Sequence, residues 1–156
     1  YPSVDALFES ISAELLSDMN LRVDRSFDAI ADPAARISIG IRHFCRRAHE
    51  DADWANFLLN FALVDPAITD HTRSTLLRDI AAGVKAGRFP LREDQVPAAF
   101  GMIVGGTLTA MMVVRRGIDG YVPVGRQTAA ASLRMLGLGP AEADELAQIP
   151  LTNLNG

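Results

Sequence analysis

Apolar residues recur three and four positions apart along most of the chain, and the breaks in that rhythm mark where helices begin and end. Leu7, Phe8, Ile11, Leu15 and Leu16 repeat this way behind Ser3, a good helix N-cap, with Asp5 in the first turn. The spacing predicts a first amphipathic helix from residue 3 to about 21. Residues 22–31 are polar and read as irregular, anchored by Phe27 and Ile30. Asp32-Pro33 restarts the pattern with an N-cap followed by Pro in the first turn. Beyond it Ile37, Ile41, Phe44, Cys45 and Ala48 form an apolar face, and Arg36, Arg42, Arg46 and Arg47 a solvated one. The acidic run Glu50-Asp51-Ala52-Asp53 breaks this helix and caps the next. Trp54, Phe57, Leu58, Phe61 and Ala62 then give a short helix apolar nearly all round.

Asp65-Pro66 is another break, and Thr69 or Asp70 can cap a helix carrying Leu76, Leu77, Ile80 and Val84. That helix closes at Ala86-Gly87-Arg88-Phe89-Pro90, with Gly for a left-handed cap and Pro blocking continuation. Glu93-Asp94 opens the most apolar segment, residues 96–114, which ends at Arg115-Arg116-Gly117, where cations suit a helix C-terminus. Gly120-Tyr121-Val122-Pro123 reads as a loop. A last long helix spans about 124–136 and stops at Gly137-Leu138-Gly139-Pro140, and a short terminal helix covers 141–149 before a frayed end. No strand alternation or internal repeat is visible. The expectation is an all-α fold of about six helices, forming one domain over residues 1–156.

Composition narrows the function classes. The 156 residues carry a formal net charge of −4, and Lys and Arg never cluster beyond the pairs Arg46-Arg47 and Arg115-Arg116. A nucleic-acid-binding surface would need a basic stripe, so this stretch is not itself a DNA reader. The one cysteine, Cys45, permits no internal disulfide and fits a reducing, cytoplasmic setting. The first residues are polar with a helical pattern and do not read as a secretory leader.

Residues 96–114 are nineteen in number and uncharged, and would span about 28 Å as a helix, close to a bilayer's hydrocarbon thickness. Gly101 and Gly105 form the G-x-x-x-G of close helix pairs. Pro97, Gly106, Thr107 and Thr109 dilute the segment, however, and no second one exists, so the expectation is no membrane span. The same small residues suit a helix crossing in water. Gly101, Gly105 and Thr109 on this helix, with Ala130, Ala131 and Arg134 on the next long one, make two faces for a symmetric interface. They would equally serve crossings within one chain.

Aromatic and sulfur side chains concentrate in the middle helices. Phe44, Trp54, Phe57, Phe61, Phe100 and Met111, with Met102 and Met112 nearby, are the kind that line apolar pockets. Thr107, His43, Asn60 and Arg115 are candidate polar groups beside them. Spacing alone does not separate a lined cavity from a filled core, so both readings stand. His43, Cys45 and His49 are close in sequence, but only Cys45 and His49 share a helix face, and two ligands do not complete a zinc site. No metal or other cofactor is expected. There is no G-x-S-x-G and no phosphate loop, and Gly101–Gly106 lies inside a helical pattern rather than after a strand. No enzymatic activity is expected.

The opening Tyr1-Pro2-Ser3-Val4-Asp5-Ala6-Leu7-Phe8 resembles the seam in TetR-type transcriptional regulators, where a helix-turn-helix head joins a ligand-binding body. The "Ala-Gly-Arg-Phe" close before an acidic, Ala-rich helix, the Gly-rich apolar helix and the terminal "Leu-Gly-Leu-Gly-Pro" stop extend that resemblance over nearly the whole chain. It implies an orthogonal helical bundle that homodimerises through its last two long helices. It also implies a small apolar or amphipathic effector in the middle of the bundle, and DNA contact only through a head that is absent from this stretch. The alternative is a helical interaction or scaffold domain with a filled core and no small-molecule site.

Overall fold

The computed structural model describes residues 3–27, 29–64 and 66–152, and among these every regular element is helical. Seven α-helices follow in order: α1 Val4–Ser26, α2 Pro33–Glu50, α3 Ala52–Phe61, α4 Pro66–Lys85, α5 Val96–Arg115, α6 Tyr121–Met135 and α7 Pro140–Leu146. Tyr1, Pro2, Asp65 and the final four residues lie outside the described set, as do the side chains of Leu16, Thr69 and Asp70.

Most helix starts have a local chemical cause. Ser3 accepts from the Ala6 N–H at 3.1 Å, so the polar seam does begin α1. Asp32 accepts from the Ala34 N–H at 3.1 Å ahead of Pro33. Asp51 serves two helices: it ends α2, and its Oδ1 accepts from the Trp54 N–H at 3.1 Å to start α3. Three boundaries differ from the periodicity. Residues 22–26 continue α1, because Val23 and then Phe27 extend its buried stripe by one and two turns beyond Met19. The helix α6 starts at Tyr121 rather than beyond Pro123, since a proline in a first turn gives up no helical hydrogen bond. The helix α4 starts at Pro66, before the expected caps at Thr69 or Asp70.

The Gly-Arg-Phe-Pro close of α4 is a docking device. Gly87 adopts φ 71°, and the N–H groups of Arg88 and Phe89 donate to the Gly83 carbonyl at 2.8 and 3.1 Å. This folds the fully buried Phe89 ring over Gly83, where a Cβ would fall 2.2 Å from ring carbons. Pro90 then packs on Gly137, itself at φ 103°, so the stops of α4 and α6 lock together. Between Gly87 and Phe89, the Arg88 guanidinium bonds both Asp32 oxygens at 3.0 and 3.1 Å and also reaches Glu142. Burial pushes the Asp32 carboxyl up, but the bonds from Arg88 and the Ala34 N–H outweigh it and hold it below the usual range.

The helix α2 is the hub. Its residues enter all three apolar clusters, and its contact with α6 is the most extensive helix pair. A Cβ at Gly125 of α6 would be 3.4 Å from the Cys45 Cβ, so the two axes approach closely. Burial raises the Cys45 thiol to about 12, leaving it an inert packing group. The sequence placed Arg42 on a solvated face; it is instead buried, and its Nη1 donates to the Ile149 carbonyl at 2.5 Å. Ser38 donates to the Leu146 carbonyl at 3.0 Å, so α2 fastens the end of the chain with two polar stitches. The helix α5 is long and apolar enough to cross a membrane by length and composition. Its Val96, Ala99, Ile103, Thr107, Ala110, Met111 and Val114 are buried against the chain's other helices.

A candidate ligand cavity

A cavity of about 100 Å³ opens where α1, α2, α3, α4 and α5 meet. From α2 come Ile37, Gly40, Ile41 and Phe44, and opposite them α5 contributes Phe100, Ile103, Val104, Thr107 and Leu108. Leu58 and Ala62 of α3, Leu76 of α4, and Val23 and Phe27 at the end of α1 complete an apolar wall. These positions follow from helical spacing: residues 37, 41 and 44 on α2 and 100, 103, 104 and 107 on α5 each make one stripe.

Polar character is confined to Arg36, Thr75, Asp79 and Thr107. Thr107 donates its hydroxyl to the Ile103 carbonyl one turn back at 2.7 Å. Arg36 Nε donates to Asp79 Oδ1 at 3.0 Å, and its guanidinium lies 4.6 Å from the Phe27 ring centroid. Burial pushes the Asp79 carboxyl up; Arg36 opposes this, and Asp24 adds a further upward push. The Oδ1 of Asp24 is buried with no hydrogen-bond partner among the described residues.

Of the sequence-predicted ligand residues, Phe44, Phe100 and Thr107 line the cavity, and Trp54, Phe57, Phe61 and Met111 do not. Trp54 and Met111 are packed in the α1–α2–α3–α5 cluster, with the Trp54 ring 5.7 Å from Phe44 and Arg47 over its face. Phe57 and Phe61 instead enclose Phe8 of α1, at centroid distances of 5.4 and 4.7 Å. None of the secondary polar candidates reaches the cavity. His43 is buried with Nε2 unpartnered among the described residues, and burial, then Arg46 and Arg42, lower it to about 4. Asn60 is exposed and donates to the Asn56 carbonyl, and the buried Nε of Arg115 has no partner among the described residues.

The residues that sequence reasoning missed are Arg36, Asp79 and the end of α1. Asp79 carried a signal, being one helical turn from Leu76 and adjacent to Ile80 on an otherwise apolar stripe. Arg36 carried none, because its α2 face holds other arginines.

The predicted interface residues divide. Gly101, Thr109, Ala131 and Arg134 are exposed and Gly105 half-buried, on the outer side of neighbouring α5 and α6. Met102, 62% exposed, lies on the same side of α5. A Cβ at Gly101, Gly105 or Gly106 would meet nothing within 4 Å. Ala130 departs from this group: it is buried in the chain's own core beside Leu133 and turns away from the outer face. Among the described residues no three His, Cys, Asp or Glu side chains gather as a metal site; His49 stacks on Tyr121 instead.

A model of the tetracyclin repressor-like C-terminal domain matches residues 32–149. No curated protein sequence matches the chain. Among solved structures, RolR in complex with resorcinol superposes with a TM-score of 0.84 at 24% identity, covering 99% of this chain and 76% of that one. RolR without ligand gives 0.80, also at 24% identity, covering 99% and 79%. At that identity the likeness establishes the helical fold.

Proposed function

The chain belongs to the tetracyclin repressor-like C-terminal domain family, and on that premise we propose that it is the effector-binding and dimerising body of a transcriptional regulator. In this reading a small apolar or amphipathic molecule occupies the cavity, two copies pair through α5 and α6, and DNA is read by a separate head. The cavity is the observation that carries it. A scaffold domain has no use for unfilled space between five helices, because cavities lower stability.

Size supports a single-ring guest. An apolar cavity of about 150 Å³ holds benzene, and the volume here, about 100 Å³, is of that order. The RolR complex names resorcinol, one benzene ring with two hydroxyls, as that protein's ligand.

The wall also suggests the coupling. Val23 and Phe27 touch the cavity at one end of α1, and the helix runs 23 residues back to Val4. That is about 34 Å at 1.5 Å per residue. A guest that reseats one end therefore swings the other, and a head attached there would change its spacing on successive DNA major grooves. The guest must favour one seating of α1 over the other for any shift to occur.

Thermal unfolding with a panel of one-ring compounds, joined to sedimentation of the chain, tests the reading. A ligand-dependent rise in Tm from a dimeric species is expected. A monomer with no shift across the panel would refute it.

A further inference from the structure

The wall of the cavity is not uniformly apolar. Its charged side chains are on one pair, Arg36 of α2 and Asp79 of α4, bonded at 3.0 Å. Asp79 is only 6% exposed. A carboxylate offers about four acceptor sites, and the Arg36 bond occupies Oδ1. Acceptor capacity therefore remains on an oxygen-bearing group that borders the guest. The guanidinium is committed elsewhere, reaching Asp79 through Nε while its plane rests on Phe27. Thr75, one helical turn before Asp79, borders the same space with a hydroxyl.

Charge balance decides what such a pole accepts. Asp24 lies near enough to raise Asp79, and its own Oδ1 is buried without a hydrogen-bond partner among the described residues. Arg78 also acts on Asp79, but from an exposed position. The buried groups are thus two carboxylates and one guanidinium. A second anion would add repulsion in a site that excludes water, and a cation would lose its hydration to reach it. A neutral hydroxyl meets neither cost and gives Asp79 a hydrogen bond.

We propose that the effector is a neutral, hydroxylated single ring, a phenol in the broad sense, whose hydroxyl donates to Asp79 while Arg36 holds that carboxylate in place. The proposal rests on the effector-binding reading. It further specifies that carboxylated rings of the same size are rejected.

Calorimetric titration of the full chain with benzene, phenol, benzoate and benzylamine decides this without any variant. Phenol should bind about tenfold or more tightly than benzene, the worth of one hydrogen bond to a charged group, with benzoate and benzylamine weaker than phenol. Asp79→Asn should bring phenol down towards benzene and leave benzene unchanged, the benzene affinity reporting that the variant still folds. Equal affinities for benzene and phenol, or tightest binding of benzoate or benzylamine, would overturn the assignment while leaving the cavity as an effector site. Failure of all four to bind would remove the one-ring effector reading itself.

Discussion

Glycine in the middle of α5 offers a sharp test of the pairing face. An interior glycine costs a helix roughly 1 kcal/mol relative to alanine, and α5 carries three, Gly101, Gly105 and Gly106. A Cβ at any of them would meet nothing within 4 Å, so packing inside the chain supplies no reason for them. Gly105→Ala should therefore stabilise the dissociated chain by about 1 kcal/mol. Gly83→Ala is the internal control. Its Cβ would fall 2.2 Å from the Phe89 ring, which is 1% exposed and has nowhere to go. Overpacking of about 1–3 kcal/mol or more then exceeds the propensity gain of about 1 kcal/mol, and the net effect is loss of stability. Gly105→Leu asks what lies outside. In a symmetric interface the bulk enters twice, so about 2–6 kcal/mol of overpacking should raise the dimer dissociation constant at least roughly thirtyfold. Sedimentation equilibrium gives that constant, and urea unfolding of dilute protein gives the monomer's stability. A Gly105→Leu protein that dimerises as tightly as the parent would refute the assignment of this face.

Other expectations follow from the cavity and the buried polar groups. Val104→Phe should fill the cavity, adding about 0.5–2 kcal/mol of stability while abolishing the thermal shift with one-ring ligands; a retained shift would place the binding site elsewhere. His43 is lowered to about 4 by burial, so between pH 6.5 and 4 the unfolded chain binds a proton that the folded chain does not. Stability should therefore fall as pH falls through that window, by about 3 kcal/mol, with Asp79, raised in the fold, acting in the opposite sense. His43→Leu should flatten the acid limb in urea titrations from pH 7 to 4, and an unchanged limb would count against the burial argument. Arg42→Met keeps the stem but loses the bond to the Ile149 carbonyl; amides near residues 147–151 should exchange faster, with about 1–3 kcal/mol lost overall. Unaltered exchange there would show that the stitch is dispensable.

Much of the fold was legible because capping is local chemistry. Ser3, Asp32 and Asp51 each bond a backbone N–H two or three residues ahead, and a linear sequence displays that relation directly. Gly87 and Gly137 likewise announced helix stops through the positive φ they adopt. Errors arose where tertiary packing overrode local signals. The polar stretch after Leu21 remains helical because Val23 and Phe27 find apolar partners on α2 and α3 that no local window contains. Arg42 resembled Arg46 and Arg47 in spacing, yet the terminal segment folds back over it.

The candidate site was half legible, for a reason that lies in how side chains make cavities. Aromatic rings signal buried volume, but a large ring both lines and fills, and the best-packed rings leave no void. Phe57 and Phe61 close on Phe8, and Trp54 beds between Phe44 and Arg47, so their bulk is consumed by other rings. The void remains where branched aliphatics and a glycine face one another, among Ile37, Gly40, Ile41 and Val104. A better sign was the charge out of place. Asp79 interrupts the apolar stripe of α4, and a buried carboxylate persists only with a partner. That partner, Arg36, is 43 residues away in sequence, and only the crossing of α2 and α4 brings the two together at the cavity wall. The small residues on α5 follow the same logic in reverse. Gly101, Gly105 and Gly106 interrupt an apolar helix without serving its own chain, which is why their justification has to be sought across a subunit boundary.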